Sequence, residues 1–340
     1  MPILKRVTMK DVAQAAGVSI TTVSHVVNAT RHVDSTTRAR VLEALDNLGY
    51  FPNSIASSLR SGKTKIIGLI VPDASNPFFA DVSRQIENIG YQQGYSVILC
   101  NSDNDPAKQS NYINTLLAKQ VDGVIFISAG GAPGDLIHFS ERGIPVVVAD
   151  RDVPLDLADV VLLDNEQAGY DATQHLIELG HTRIACITGP NHLSPSMQRV
   201  EGFRRALREH QIPCDPEMIL PGDFRFQSGE AVITRLLAYQ SPPTAVFVLN
   251  DMMAIGAMTA VRKHGFNVPG DISIVGFDDI ELASAVTPAL TTIAQPMGEI
   301  ARHTTDLLIS RLQGDQEDAK KRIVLSARLV IRDSTAARKG

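Results

Sequence analysis

The sequence contains no tryptophan, three widely spaced cysteines and no long apolar run. No stretch reaches the roughly 18 consecutive apolar residues that a membrane-spanning helix needs, and the N-terminus lacks the apolar core and cleavage site of a secretory signal. Cys100, Cys186 and Cys214 form no CxxC pair, so a thiol-based metal or redox site is not predicted. We therefore expect reduced thiols and a cytoplasmic protein that does not enter a membrane.

The chain is acidic overall, but its basic charge is concentrated at one end. Residues 1–65 contain nine Lys and Arg against four Asp and Glu, whereas the whole chain has a net charge of −5. The first 65 residues therefore carry +5 and the remainder −10. Because phosphate neutralisation dominates affinity for nucleic acids, this distribution indicates that only the N-terminal segment contacts a polyanion.

From residue 66 onward, apolar runs alternate with segments of helical length. The runs include "KIIGLIV", "YSVILC", "VDGVIFIS", "IPVVVAD", "RIACITG", "TAVFVLN" and "DISIVGF". Continuous apolar strands are buried on both faces, which is typical of doubly wound parallel sheets covered by helices. Since the elements are too many for one modest sheet, the sequence predicts an α/β body with two lobes.

The N-terminal segment has a different, all-α pattern. Thr8 is a candidate N-cap with Asp11 three residues later, and Gly17 ends the first helix. A second helix starts at Ser19 after the tight turn "AAGVS", and a third runs through "STTRARVLEALDNLG". The predicted buried face of the third helix consists of Val41, Leu45 and Leu48. Two short helices joined by a tight turn and braced by a third are typical of a helix-turn-helix unit.

In a helix-turn-helix unit, the second helix enters the major groove with its N-terminal residues against base edges. Ile20, Thr21 and Thr22 occupy these positions, and His25 follows one turn later. Thr and His can hydrogen-bond to bases, and Ile can contact a thymine methyl group. A single helix histidine is more often merely solvated, but the turn geometry and the positive charge of this segment favour base contact for His25.

The stretch "MKDVAQAAGVSITTVSHVVN" resembles the start of LacI-family repressors, whose hallmark "VAxxAGVSxxTVSxVxN" is nearly intact. The resemblance covers essentially the whole chain. It implies base contacts near the start of the second helix and contacts with the DNA backbone from Ser19, Asn28 and Arg31. The predicted DNA-contacting set is Thr8, Ser19, Ile20, Thr21, Thr22, His25, Asn28, Arg31, Ser57, Leu59 and Arg60.

Residues 52–63 are predicted to form a hinge helix. Pro52 breaks the chain, Asn53 can cap a short helix and Gly62 can end it, but so short a helix is marginal alone. In the LacI family, the hinge folds on operator DNA and a leucine wedges into the minor groove; the matching residue here is Leu59. Unstacking a base step costs about a few kcal/mol, which the wider contact at the kink offsets.

The body resembles periplasmic sugar-binding proteins, in which two lobes close on a ligand. In doubly wound sheets, ligands lie beyond the carboxyl ends of strands. Carboxylates, amides and arginines suit sugar hydroxyls, and aromatic rings suit the C–H face. The motifs "NPFF", "DR", "DF", "ND", "GFD" and "IAQ" resemble the ribose-binding members of this superfamily. The predicted effector-binding set is Asn76, Phe78, Phe79, Ser128, Asp150, Arg151, Arg199, Phe224, Asn250, Asp278 and Gln295.

Each of these residues also has an ordinary structural interpretation. Asp150 and Arg151 could form a surface ion pair, and Asn250 or Asp278 could cap a helix. Ser128 stands where the ribose-binding proteins carry an amide, which leaves the pentose open. Purine-responsive members of the LacI family resemble the head and hinge closely, but their clefts lack the "NPFF" and "DR" set. Ribose is therefore the preferred effector, and a purine corepressor such as hypoxanthine or guanine is the alternative.

The domain boundaries follow from these patterns. We predict a helix-turn-helix domain at 7–51, a hinge helix at 52–63 and a two-lobed effector-binding and dimerisation domain at 64–335. Within the latter, the first lobe is expected to comprise about 64–164 and 295–322, and the second lobe about 165–292 and 323–335.

The sequence thus predicts a homodimeric repressor of a carbohydrate operon that binds a near-palindromic DNA operator under control of a small molecule. The first strand of the body runs into "PDASNP" and not a GxGxxG turn, so a dinucleotide-dependent enzyme is disfavoured. We expect no catalytic site, metal or cofactor. A free periplasmic receptor is disfavoured by the basic head, whereas control by a protein corepressor stays open, as does whether the effector releases or promotes DNA binding. The histidines interpreted as surface residues or caps are His138, His175, His181, His192, His210, His264 and His303.

Overall fold

The structure, a computed structural model, describes residues 7–28, 31–50, 62–127, 133–154, 156–314 and 319–338. The chain divides into two units, Met1–Thr64 and Lys65–Gly340, which we call the head and the body. The predicted hinge lies outside the described residues except for Gly62 and Lys63. The predicted contacts at Ser57, Leu59, Arg60 and Ser128 also lie outside them.

The described part of the head contains three helices: α1 (Met9–Ala16), α2 (Ile20–Asn28) and α3 (Ser35–Leu48). α1 begins at the predicted capping box, in which Thr8 and Asp11 each accept the other's backbone N–H through the side chain. Gly17 ends this helix with a left-handed φ of 65°. At the start of α2, the Thr22 N–H donates to the Ser19 hydroxyl at 3.0 Å. The predicted helix-turn-helix arrangement is confirmed.

A small apolar cluster holds these helices together. The predicted buried face of α3 is only partly correct, since Val41 is buried but Ala44 takes the next buried position. Leu45 and Leu48 are half-buried and pack at the edge of the cluster. In so small a core, the short side chain of Ala44 fits between the helices and the larger leucines lie at the margin. The buried members are Val12, Ala13, Ala16, Val23, Val26, Val41 and Ala44.

Six parallel strands form the first sheet of the body. These are β1 (Ile66–Val71), β2 (Ser96–Asn101), β3 (Gly123–Ile127), β4 (Val146–Ala149), β5 (Asp159–Leu163) and β11 (Arg322–Leu325). Their spatial order is β11-β5-β4-β3-β1-β2. The helices that pack on this sheet are α4 (Pro77–Gln92), α5 (Pro106–Ala118), α6 (Pro133–Ser140) and α12 (Met297–Gln313).

A second sheet of six strands forms the other lobe. These are β6 (Ile184–Thr188), β7 (Ile219–Pro221), β8 (Ala245–Val248), β9 (Ser273–Asp278), β10 (Thr291–Ala294) and β12 (Arg328–Val330). Their order is β12-β10-β9-β8-β6-β7, and only β12 runs antiparallel to its neighbour. The helices of this lobe are α7 (Asn165–Glu178), α8 (Ser194–Glu209), α9 (Phe226–Leu237), α10 (Asp251–Lys263) and α11 (Glu281–Ala285), with a 3₁₀ turn at Pro216–Met218.

The described chain of the body crosses between the two sheets three times: after β5, after β10 and between β11 and β12. The approximate lobe boundary predicted near 322 falls at the start of β11 (Arg322–Leu325), and the whole of this strand belongs to the first sheet, beside β5. The second lobe likewise continues through Ala294 at the end of β10, beyond the predicted boundary at 292. β11 and β12 are both short apolar runs, and such a run does not reveal which sheet it will join.

Two histidines lie inside the body, contrary to the prediction. His181 is 4% exposed, with Nδ1 2.9 Å from the Thr244 hydroxyl and Nε2 3.1 Å from the Ala336 carbonyl oxygen. The Nε2 of His175 lies 3.0 Å from the Thr335 hydroxyl. Burial lowers the pKa of both imidazoles. These contacts hold the C-terminal segment against the second lobe.

The cysteines lie as predicted. Cys100 in β2 and Cys186 in β6 are buried, and Cys214 is exposed. Burial raises the pKa of Cys100 to about 11. Among the described residues, no group of His, Cys, Asp and Glu is arranged to hold a metal ion. No helix in the described parts of the chain is long and apolar enough to cross a membrane.

Candidate functional site

A cavity of about 290 Å³ lies at the carboxyl ends of the parallel strands of both sheets. The first lobe contributes residues after β1, β2 and β4, and the second lobe contributes residues at or after the ends of β6, β7, β8, β9 and β10. This is the place that the doubly wound topology predicts for a ligand. Apart from Ser128, every predicted effector-binding residue lines it: Asn76, Phe78, Phe79, Asp150, Arg151, Arg199, Phe224, Asn250, Asp278 and Gln295.

Aromatic rings stand on both sides of the cavity. Phe78 is 2% exposed and belongs mainly to the core of the body, whereas Phe79 is half-buried. Their rings meet edge to face, with centroids 5.1 Å apart. On the other lobe, the ring of Phe224 lies so close to Gly189 that a Cβ there would come within 2.0 Å of it. Glycine at 189 therefore makes room for this ring, and each lobe offers one half-buried aromatic surface.

Two asparagines of the cavity are also helix caps. The Oδ1 of Asn76 accepts the Phe78 N–H at 3.0 Å at the start of α4. The Oδ1 of Asn250 accepts the Met253 N–H at 3.0 Å at the start of α10, and its Nδ2 donates to the Phe224 carbonyl at 2.9 Å. The cap interpretation is thus correct for Asn250, and these bonds fix how each amide faces the cavity.

Arg199 on α8 is the buried cation of the site, with 4% exposure. Its Nε donates to Asn165 Oδ1 at 2.8 Å, and its Nη1 donates to the Leu249 carbonyl at 2.8 Å. The guanidinium also lies over the Phe277 ring, 3.5 Å from the centroid. Burial lowers the pKa of Arg199, and nearby carboxylates oppose this effect. An arginine remains charged under these conditions, so the site contains a fixed positive charge.

Three carboxylates interact with this arginine: Asp150, Asp251 and Asp278 are 7%, 0% and 4% exposed. Burial raises the pKa of Asp278 to about 7, although Arg199 opposes the shift. Asp278 is no helix cap; its Oδ1 accepts from Gln295 Nε2 at 2.7 Å. Burial and the charge of Asp278 also raise the pKa of Asp251. The cluster therefore retains a proton near neutral pH. The burial of Asp150 also contradicts the surface ion-pair interpretation for Asp150 and Arg151.

The backbone around the cavity is strained. Asp103, Asn104, Asp150, Phe224 and Asp278 all have positive φ, between 54° and 114°. Non-glycine residues in this region cost about 1–3 kcal/mol each and persist where surrounding structure holds them, often at functional sites. All five residues line the cavity.

Several polar residues of the cavity were missed by the sequence analysis. Asp103 and Asn104 follow β2, and Asp223 and Arg225 flank Phe224 after β7. The sequence contains a signal for Asp103 and Asn104, because they follow the apolar run "YSVILC" just as the predicted residues follow the other apolar strands. The missed polar residues of the cavity are Asp73, Asp103, Asn104, His192, Ser194, Asp223 and Arg225.

In the head, α2 presents a mixed surface. Ile20 is 48% exposed, and Thr21 is exposed beside it. Other predicted contact residues have bonds within the head: the Thr22 hydroxyl lies 2.9 Å from that of Ser19, and Asn28 Nδ2 donates to the Ser24 carbonyl at 2.7 Å. Ile20 and Thr21 are therefore the side chains at the start of α2 that are most available to a partner.

Comparisons with known proteins match both units. Residues 8–53 match the family of bacterial regulatory proteins, lacI family, and residues 173–335 match the periplasmic binding protein-like domain. The HTH-type transcriptional regulator DegA of Bacillus subtilis is 39% identical over 97% of this chain and 98% of its own length. The chain belongs to the LacI family. It is a DNA-binding transcriptional repressor, as its head and motif predict.

Other LacI-family proteins are similar over most of the chain. The repressor PurR of Vibrio parahaemolyticus is 39% identical over 96% of this chain and 98% of its own. The lac repressor dimer bound to operator and the anti-inducer ONPF is 32% identical, with a TM-score of 0.86 over 98% of this chain and 100% of that one. A LacI-family regulator from Enterococcus faecium with bound ribose is 35% identical, with a TM-score of 0.74 over 81% of this chain and all of that one. These likenesses confirm the two-part fold.

Proposed function

We propose that this LacI-family repressor is controlled by a free pentose, with ribose as the first candidate, bound between the two lobes of the body. One observation carries the proposal: ten residues chosen from the sequence for a sugar site line the same cavity. They come from both sheets and are separated by up to 219 positions along the chain, from Asn76 to Gln295.

The chemistry of the cavity suits a polyhydroxylated ring. Phe79 and Phe224 provide aromatic surfaces on opposite lobes, where the C–H face of a sugar can pack. Asp150, Asp278 and Arg151 can accept from and donate to hydroxyl groups. The Oε1 of Gln295 is buried and has no hydrogen-bond partner among the described residues, so it suits a hydroxyl donor. The ribose-bound relative from Enterococcus faecium supports this choice.

A purine base is the second candidate. The PurR repressor is similar over nearly the whole chain, and flat aromatic surfaces can also stack on a purine. Against a purine stand the carboxylates of Asp150 and Asp278, which line the cavity near Arg199 and offer more hydrogen-bond acceptors than a purine base has donors. The purine must therefore be tested beside the sugar.

The DNA target is a near-palindromic operator of a carbohydrate operon, bound by a homodimer. The lac repressor dimer on its operator supports this arrangement. In such a dimer, two heads read two half-sites, and the body fixes their spacing. Exposed Ile20 and Thr21 at the start of α2, with His25 one turn later, are the proposed base-reading residues, and Arg31 is a backbone contact. The hinge at 52–63 is proposed to link effector binding in the body to operator binding by the head.

Effector binding would act through the arrangement of the lobes. The body chain crosses between its two sheets three times in the described residues, so the lobes can shift while remaining connected. A ligand that binds one arrangement better shifts the population toward it. If that arrangement changes how the two hinges pair, operator affinity changes with it.

A thermal-shift experiment on the full-length protein tests the effector. Ribose should raise the melting temperature, because it binds the folded state, and Arg151→Ala should abolish the rise. Arg84→Ala is the matched control, since Arg84 is an exposed arginine of the same lobe that pairs with Asp81 outside the cavity. A shift with hypoxanthine and none with ribose would reject the sugar in favour of the purine.

A further inference from the structure

Two exposed residues of opposite charge line the cavity from different lobes. Asp103 follows β2 on the first lobe, Arg225 follows β7 on the second, and both are exposed residues that line the cavity. The pKa of Asp103 is lowered, chiefly by a hydrogen bond from Lys108 and to a smaller degree by neighbours that include the charge of Arg225. The two side chains therefore bring opposite charges to the same cavity, although they belong to different lobes.

The backbone holds Asp103 at this position. Asp103 and Asn104 are consecutive residues with left-handed φ values of 54° and 56°. The Asn101 Nδ2 donates to one carboxylate oxygen of Asp103 at 2.8 Å, and Lys108 donates to the other. A strained turn, with both carboxylate oxygens bonded from the same lobe, fixes the position of the Asp103 carboxylate, although Lys108 balances part of its charge.

Arg225 is fixed at its backbone but not at its charged end. Its N–H donates to Asp223 Oδ1 at 2.9 Å, and its carbonyl accepts from the Ser228 hydroxyl at 3.0 Å, at the start of α9. Its guanidinium forms no ion pair within the parts of the chain that the structure describes. Arg225 thus brings to the cavity a cation that forms no ion pair among the described residues.

We propose that Arg225 and Asp103 form an ion pair across the mouth when the lobes close, and that this pair sets how tightly the effector is held. The inference rests on the proposed function, in which the effector is bound between the lobes. An ion pair that forms only in the closed arrangement favours that arrangement and slows escape of the ligand. Both are positioning residues, since they act on the ligand through the closure of the cavity.

The test is a double-mutant cycle on ligand affinity, measured by calorimetry on the full-length protein. Arg225→Gln should weaken ribose binding about two- to five-fold at low salt, the size expected for an exposed ion pair. The loss should largely disappear at roughly 0.5 M salt, where exposed charges are screened. Arg225→Lys should restore most of the affinity. In Asp103→Asn, the Arg225→Gln change should have no further effect.

Arg235→Gln is the matched control, because it removes an exposed arginine from the far end of the same helix, outside the cavity. Hypoxanthine is titrated in parallel with ribose. Additive effects of the two substitutions, or equal losses at low and high salt, overturn the ion pair while leaving the sugar assignment intact. If only hypoxanthine binds, the sugar assignment is rejected. The same double-mutant cycle, measured on hypoxanthine affinity, then tests whether Arg225 and Asp103 form the ion pair. Binding of neither ligand rejects both proposals.

Discussion

Asp278 combines a structural cost with a role in the proposed site. Burial raises its pKa to about 7, so between about pH 4 and pH 7 the folded body holds a proton that the unfolded chain has released. Stability therefore falls as the pH rises through this window. Asp278→Asn cannot ionise and keeps an acceptor for Gln295. We expect it to be more stable than the parent protein by roughly 1–3 kcal/mol at pH 8, with a much smaller difference at pH 4.5.

Urea unfolding followed by circular dichroism at the two pH values measures this difference. Asp306→Asn, an exposed aspartate on α12, is the control for loss of one carboxylate. An Asp278→Asn gain that is equal at both pH values would show that repacking, and not ionisation, is its cause. The variant should also lose its thermal shift with ribose, because Asp278 lines the cavity and its carboxylate is a proposed hydrogen-bond acceptor for the sugar.

At the residue scale, the sequence predicted the members of the site better than their partners. Asn76, Asp278 and Gln295 could be found because they follow apolar strands, and the topology places all such ends together. The buried residues that bond to the site could not be found in this way. Asp251 opens a helix directly after Asn250, and its local sequence does not reveal that its Oδ1 accepts from the Thr292 hydroxyl at 2.6 Å inside the body. Contacts between residues so distant in sequence leave no local pattern.

The element with the clearest predicted role is α2. His25→Gln should change preference at one or two operator positions, because its predicted contact is with a base edge. Arg31→Gln should weaken binding to all sequences alike and reduce the salt dependence, because its predicted contact is with phosphate. Binding assays against a panel of single-position operator variants separate these outcomes. Uniform weakening by both substitutions would remove His25 from the base-reading set.

Helix packing shows what periodicity could not predict at the element scale. α7 and α8 meet through Gly169 and Gly202, where an added Cβ would come within 2.3 Å and 2.0 Å of a backbone oxygen on the partner helix. Gly229 and Gly256 do the same for α9 and α10. Because glycine lowers helix propensity, its presence in the sequence favours a prediction of non-helical structure. Here it permits backbone contact, which brings Arg199 on α8 close to Asn165 at the start of α7.

At the scale of the whole molecule, the alternation of apolar runs and helices was sufficient for two doubly wound sheets, since parallel strands buried on both faces have that pattern. The same alternation was not sufficient to predict which lobe each of the last strands joins. β11 and β12 are three or four residues long, and each joins a different sheet through contacts with β5 or β10. The same limit hid the anchoring of the C-terminal segment by His175 and His181.

Coupling between the cavity and the head must be reciprocal if ribose and operator both bind the same two arrangements of the molecule. The factor by which ribose changes operator affinity should equal the factor by which operator changes ribose affinity, and we expect about 5- to 150-fold. Operator titrations with and without saturating ribose give the first factor, and ribose titrations with and without saturating operator give the second, with sucrose as the inert control sugar. Induction and corepression differ only in the direction of the shared factor. One closed cycle of binding equilibria has a single coupling energy, so the two factors must be equal if ribose acts from the cavity. If ribose changes operator affinity but operator does not change ribose affinity by the same factor, ribose acts at a site other than the cavity or by changing the oligomeric state.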